Sequence, residues 1–342
     1  MNVLFLTPWY PTESDAMAGL FVQKHVEAVR AQGVEVRVLH SQTWRELWAA
    51  WRSLHKDGWM PDVVQLNVMQ KQGLLALWLK RHYGIPFVII EHWSGYLLEN
   101  RHKLSASRIR FAQRLCAEAQ TVMTVSPLLQ EGLQAIGCKA KRWERIGNVV
   151  DDFFFDQRLT TNDKRQKTIL HVSCFDEQAK NTSALLRGFK ALCDRRTNVQ
   201  LVMVGTGVDW QASHDLADEL DIPADNILWT GEQTPEQVCE WMHNADALVL
   251  TSRYETAGIV LCEAAACGLP ILSTPVGLAT EIVTEETGII VSQENVNRPK
   301  RLSEYMEAVI SMPKFPSRAQ EYKADTIGRQ LKDIYAQCTV SE

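Results

Sequence analysis

Short apolar runs recur along the chain, and between them the apolar residues return every three or four positions. The runs at residues 3–6, 36–39, 63–66, 87–90, 121–125 and 143–146 are bounded by polar or turn residues. Such runs predict buried strands, and the intervening 3.6-residue periodicity predicts helices, the alternation expected of a parallel sheet covered on both faces. A second series at 169–172, 200–204, 227–229, 247–250, 271–273 and 289–291 repeats the scheme. Both halves therefore read as Rossmann-like α/β units. Thr234-Pro235-Glu236-Gln237 supplies a capping-box start for one helix of the second half. Residues 318–338 have helical composition.

The stretch from Ser252 to Pro270 carries the clearest chemistry. After the apolar run 245–250, residues 258–267 read as a helix closed by Gly268, with Pro270 just beyond. Glu255 lies in the turn before this helix and Glu263 inside it, flanked by Leu261, Cys262 and three alanines. A carboxylate left unpaired in such surroundings would carry a heavy desolvation penalty, so Glu263 calls for hydroxyls or a cation as partners; the plainer reading is a buried helix glutamate satisfied by its neighbours. The turn 255–258 falls at the C-terminal edge of the sheet, where open α/β folds bind ligands and the first helical amides favour an anion such as phosphate.

The set Ser252, Glu255, Gly258, Glu263, Ala264, Gly268 and Pro270 resembles the donor-site signature of family 4 glycosyltransferases. Further pieces occur in the family's order: Pro8, Pro11 and Gly19; Asn148-Val149-Val150-Asp151; Lys180-Asn181; Val204-Gly205-Thr206-Gly207; Thr230-Gly231; Ala245-Asp246; and Pro275-Val276-Gly277 with Glu281. The resemblance covers roughly residues 1–340. It implies the α/β GT-B fold, with two Rossmann-like domains whose parallel sheets face across a cleft and a C-terminal helix crossing back to the N-terminal domain. The corresponding boundaries are 1–155 for an acceptor-binding domain, 165–317 for a nucleotide-sugar-binding domain and 318–342 for the returning helix.

The resemblance also implies roles. Lys180 matches the diphosphate-binding lysine, Glu255 would hydrogen-bond the sugar hydroxyls, and Glu263 would accept from the ribose hydroxyls. The amides of Ala257, Gly258, Ile259 and Val260 would cover sugar and phosphates, Gly19 and Gly205 would let backbone approach the donor, and His92 would lie near sugar and acceptor. Glu255, Lys180 and His92 are thus the catalytic candidates. The family's usual Gly-Arg-Leu before the lysine is replaced by Cys174-Phe175-Asp176, so Arg253 is the candidate second cation, with a solvated arginine as the plainer reading. The implied reaction is a retaining transfer from a nucleoside diphosphate sugar, without a metal or other cofactor and without a covalent nucleophile visible in the sequence.

Composition narrows the classes further. The 342 residues carry a net charge of −5, and no recognised module appears, which speaks against nucleic-acid binding. The charge is divided unevenly: residues 1–150 hold 18 Lys+Arg against 12 Asp+Glu, and residues 151–342 hold 18 against 29. The division coincides with Asp151-Asp152 and the polar stretch 160–167, which reads as an interdomain linker. The opening segment reads as a first strand rather than a signal peptide, no apolar run is long enough to span a bilayer, and eight cysteines without a Cys-x-x-Cys pair suggest reduced core thiols in a cytoplasmic protein rather than a structural zinc site. Trp44, Leu47, Trp48, Trp51, Leu54 and His55 recur at helical spacing beside Arg45, Arg52 and Lys56, and 101–114 adds a basic cluster. This stripe either packs on the sheet or docks peripherally on the inner face of an anionic membrane bearing a lipid-linked acceptor. The leading expectation is transfer to a glycan or lipid-linked acceptor in envelope polysaccharide synthesis. The alternatives are synthesis of a small soluble glycoside and non-catalytic nucleotide-sugar binding.

Overall fold

The computed structural model describes residues 1–13, 15, 17–41, 43–156 and 166–339. The chain divides into two compact units, one formed by residues 1–149 and 321–342, the other by residues 150–320. Of the expected linker 160–167, positions 160–165 lie outside the described residues.

Each unit is built on six parallel strands. In the first, β1 (Asn2–Thr7), β2 (Glu35–His40), β3 (Val63–Asn67), β4 (Phe87–Glu91), β5 (Val122–Thr124) and β6 (Trp143–Arg145) lie in the order β2-β1-β3-β4-β5-β6. In the second, β7 (Lys167–Val172), β8 (Val199–Val204), β9 (Ile227–Gly231), β10 (Ala247–Leu250), β11 (Ile271–Ser273) and β12 (Gly288–Ile290) lie in the order β12-β11-β10-β7-β8-β9. The strands β4 and β10 are buried along their whole length, which is why they run apolar without alternation up to Glu91 and through Leu250. Parallel neighbours need crossovers, and helices such as Leu20–Ala31 and Thr182–Cys193 supply them.

Helix starts follow local chemistry. Thr43, Ser105 and Ser126 cap their helices by accepting backbone N–H bonds, and Thr234 forms the full capping box with Gln237. The C-terminal helix Ala324–Thr339 packs on Leu20–Ala31 at the glycine Gly328, where a Cβ would stand 2.3 Å from the Ala28 carbonyl oxygen. Lys332 Nζ donates to the Gln32 carbonyl at 2.8 Å, and the buried Tyr335 hydroxyl donates to Gln65 of β3. In both halves the observed strands coincide with the apolar runs to within one or two residues at each end.

Candidate functional site

In the second unit the loops after β7 and β10 meet. Asp176 caps the one-turn helix Glu177–Lys180, its Oδ1 accepting from the amides of Gln178 and Ala179 at 3.0 and 3.3 Å. Asn181 follows in the left-handed region at φ 53°, which redirects the chain into the helix Thr182–Cys193. The Thr251 hydroxyl, just past β10, bonds to the carbonyls of Lys180 and Asn181 at 3.1 and 3.0 Å, and the Arg253 amide donates to the Ala179 carbonyl at 2.7 Å. Two loops more than 70 residues apart in sequence are thereby sewn together.

This stitching places Lys180 Nζ 2.6 Å from Glu255 Oε1, with the two side chains 14% and 12% exposed. The Ser252 hydroxyl donates to the same carboxylate oxygen at 2.8 Å. Burial opposes the ammonium, but the attraction and hydrogen bond of Glu255 prevail and hold the Lys180 pKa above its ordinary value. Lys180 is thus a fixed, charged cation at the strand ends. His171 of β7 lies beneath it, its Nδ1 2.9 Å from the Val249 carbonyl and its Nε2 2.8 Å from Ser173 Oγ. Burial lowers its pKa to about 4, and the nearby Lys180 charge acts in the same direction. The ring is therefore neutral at pH 7, with Nδ1–H donating and Nε2 accepting.

Arg253, the candidate second cation, reaches the Lys180 loop with its side chain 40% exposed. Its guanidinium bonds to the Glu177 carbonyl, to the Glu177 carboxylate at 3.1 Å and to Asn181 Oδ1 at 2.6 Å. Glu177 in turn accepts from the Ser183 amide and hydroxyl at 2.9 and 2.7 Å and from the Thr182 hydroxyl at 3.1 Å. Arg253 is committed to bracing the Lys180 loop from below, because Glu177 offers it a carboxylate at close range. The sequence pattern contained no signal for Glu177.

The helix Ile259–Ala266 starts at Gly258 in the left-handed region, φ 71°. Ala257 before it is buried, and its carbonyl accepts from the Leu278 amide at 2.9 Å. Gly277 packs so closely there that a Cβ would stand 2.3 Å from the same oxygen. Ile259 and Val260 are half-buried, and their amides belong to the first turn, where helical N–H groups have no intrahelical acceptor. Glu263 is half-buried rather than enclosed, which corrects the apolar burial suggested by its sequence neighbours: Leu261, Cys262 and the three alanines are buried while position 263 is only partly so. Gly205, directly after β8, has φ 119° and leaves no room for a Cβ, which would stand 1.9 Å from the Ser173 carbonyl oxygen.

In the first unit Gly19 precedes the helix Leu20–Ala31 at φ 70°, and a Cβ would meet the Trp9 carbonyl carbon at 2.4 Å. His92 follows β4 and is buried, its ring 4.3 Å from that of Phe21 and 5.8 Å from that of His25. Burial and His25 lower its pKa well below the ordinary histidine value. The carboxylate holding this loop is Glu91, which the sequence reading passed over. Its Oε1 accepts from the His92 and Trp93 amides at 2.9 and 2.8 Å and its Oε2 from the Met69 amide at 2.8 Å. Full burial raises its pKa to about 7 despite those three donors and the Arg108 charge.

The tryptophan stripe forms the helix Trp44–Lys56: Leu47 and Trp51 are buried, and Trp51 forms part of the wall of a groove of about 580 Å³ lined also by Trp44, Trp48, Trp78, Tyr83, Arg52 and Lys56. Among the described residues no helix is long and apolar enough to cross a membrane.

Residues 152–326, more than half of the chain, match the family described as glycosyl transferases group 1, and residues 3–149 match the glycosyl transferase 4-like domain. The chain belongs to the group 1 glycosyl transferases. Among relatives of this family it is 25% identical over 249 residues to the N-acetyl-alpha-D-glucosaminyl L-malate synthase of Bacillus anthracis, covering 66% of this chain and 63% of that protein. It is 24% identical over 262 residues to the GDP-mannose-dependent alpha-(1-6)-phosphatidylinositol dimannoside mannosyltransferase of Mycobacterium tuberculosis, covering 74% of this chain and 66% of that one. These matches span just under two thirds of the two relatives' own lengths. Anabaena HepE, solved with UDP and glucose, superposes with a TM-score of 0.73 at 18% identity over 98% of this chain and all of that one. Sucrose-phosphate synthase from Thermosynechococcus elongatus gives 0.78 at 18% identity over 98% of both. These likenesses show the GT-B fold.

Proposed function

We propose that the protein is a retaining glycosyltransferase that moves a sugar from a nucleoside diphosphate sugar to a glycan or lipid-linked acceptor hydroxyl in envelope polysaccharide synthesis. The observation that carries this reading is the Lys180–Glu255 pair at the strand ends of the second unit, beside the start of the helix Ile259–Ala266. Departure of a diphosphate needs a fixed positive charge and amide dipoles aimed at the developing anion, with no reorganisation at the moment of reaction. Lys180 supplies the charge and the residues 257–260 the amides, so the transfer step proceeds without a metal ion. Glu255, released from Lys180 by the incoming phosphate, accepts hydrogen bonds from the sugar hydroxyls. Glu263, half-exposed on the next helical turns, accepts from the ribose. Arg253 serves by holding the loop that presents Lys180, replacing the phosphate contact of the missing family arginine with a positioning role.

The relatives that transfer mannose to phosphatidylinositol mannosides and the neighbours that act in lipopolysaccharide assembly support an amphiphilic acceptor. The aromatic groove at Trp44 and Trp48, rimmed by Arg52 and Lys56, supports peripheral contact with an anionic bilayer through the first unit. The experiment is a thermal-shift panel of UDP, GDP, ADP and CMP and their sugar conjugates, followed by product analysis with short-chain lipid acceptors. One nucleotide series stabilising the wild type but not Lys180→Ala supports the reading, and stabilisation without turnover on any acceptor would replace it with a non-catalytic nucleotide-sugar binder.

A further inference from the structure

The helix Pro235–Asn244 carries Cys239 and His243 four residues apart, on one face and buried. Cys267, the buried residue that ends the helix Ile259–Ala266, lies against that face. One ligand atom from each of the three lies within 4.8 Å of the others. A tetrahedral zinc site with bonds of about 2.3 Å to sulfur and about 2.0 Å to nitrogen sets its ligand atoms about 3.5 to 3.8 Å apart, so a contraction of roughly 1 Å would close this triangle on a metal. We propose that Cys239, His243 and Cys267 form a structural site for a thiophilic divalent cation, with zinc as the ion of best chemical fit. Two thiolates and a neutral imidazole match the donor set of a zinc site, and the two anionic sulfurs neutralise the ion.

Binding forms two metal–sulfur bonds and one metal–nitrogen bond, and the two thiol protons leave to solvent. The Cys239 thiol donates to the Phe153 carbonyl at 3.5 Å, a hydrogen bond that metal binding would replace with a metal–sulfur bond. Lys314 Nζ donates to the His243 carbonyl at 2.6 Å, so one further positive charge lies near the cluster beyond what the two thiolates neutralise on the ion. The site lies one helix length from Gly258, about 13 Å at 1.5 Å per residue, and is therefore separate from the Lys180–Glu255 pair. Its effect is to tie the end of the helix bearing Glu263 to its neighbour. Nothing in the spacing of the cysteines announces it, because the third ligand comes from a different helix.

The test is titration of the reduced full-length chain with cobalt(II) alone, with zinc(II) as competitor. The expected result is one tight equivalent showing thiolate-to-cobalt charge transfer and the intense visible bands of tetrahedral coordination, abolished by zinc. These bands should vanish in Cys267→Ser and His243→Gln and persist in Cys116→Ser, with zinc affinity falling at least about 100-fold on loss of one ligand. Circular dichroism separates loss of ligation from loss of fold, and Cys239→Ser provides an independent second variant. Absence of the charge-transfer band in wild type, or its persistence unchanged in folded Cys239→Ser and Cys267→Ser, would overturn the proposal. The readout is spectroscopic, so its failure is distinguishable from failure of the transferase reading.

Discussion

Both units place a glutamate at or just beyond the C-terminal end of a central strand, and they treat the carboxylate in opposite ways. In the first, Glu91 is enclosed and held by three backbone amides, with no cation in direct contact among the described residues, and burial keeps its pKa near 7. In the second, Glu255 is matched by the Lys180 ammonium at 2.6 Å and remains slightly open to solvent. A carboxylate satisfied by its own backbone fixes two loops and has little left to offer a ligand. A carboxylate satisfied by a side-chain ammonium has a partner that a competing anion could take over. The comparison separates a carboxylate held by backbone amides from one paired with a side-chain cation on similar frameworks.

The largest expected effect is on the exchangeable pair. Lys180→Ala should lower transfer by about 100-fold or more, the scale seen when one preorganised donor to a developing anion is removed, measured as kcat/KM. Glu255→Gln should lower transfer by at least about tenfold while the protein keeps its fold, since the amide still accepts from Ser252.

The bracing carboxylate predicts a stability effect instead. Glu91→Gln turns an NH2 group toward backbone N–H donors and should cost about 1 to 3 kcal/mol in denaturant unfolding. The pH dependence has a definite sign. Because the folded state raises the Glu91 pKa from 4.5 to about 7, the unfolded chain releases this proton first, and stability falls as pH rises through that window, by at most about 3 kcal/mol. His25 and His171, both lowered to about 4 by burial, act oppositely, because the unfolded chain takes up their protons first and stability is lost as pH falls below 6.5. Subtracting Glu91→Gln from wild type isolates the first term, so the deficit of the variant should grow as the pH is lowered from about 8 to about 5. A deficit independent of pH would remove the buried, proton-holding role of Glu91.

The smallest effect compares two glycines that begin helices at nearly the same positive φ. Gly19→Ala meets the Trp9 backbone, whereas Gly258→Ala meets only the movable Leu261 side chain at 3.0 Å. Both pay about 1 kcal/mol for the left-handed conformation, and Gly19→Ala should lose measurably more in thermal unfolding.

The strands were legible because apolar runs such as 87–90 and 247–250 have no alternative fate in a parallel sheet. The helix start at Gly258 was legible in the glycine before an apolar run, whereas Lys180 was singled out through the family resemblance and its role, like that of Glu255, is part of the proposed function. What escaped was side-chain partnering completed by residues from other elements: the hold of Glu177 on Arg253, the Met69 amide that joins the Glu91 cradle, the neutral His171 near Lys180, and Cys267 beside Cys239 and His243. A carboxylate directly after the apolar run 87–90 was the available signal for Glu91, masked by the neighbouring His92. The exposure of Glu263 depends on which helix face its neighbours leave uncovered, which local composition does not encode.

The most direct test of the central claim is calorimetric titration of the preferred nucleoside diphosphate into wild type, Lys180→Ala and Glu255→Gln. If Lys180 is the diphosphate cation and Glu255 its resting partner, affinity falls by roughly tenfold or more in Lys180→Ala and is maintained or increased in Glu255→Gln, where no carboxylate competes for the ammonium. Unchanged affinity in Lys180→Ala, or equal losses in both variants, would contradict that division of roles.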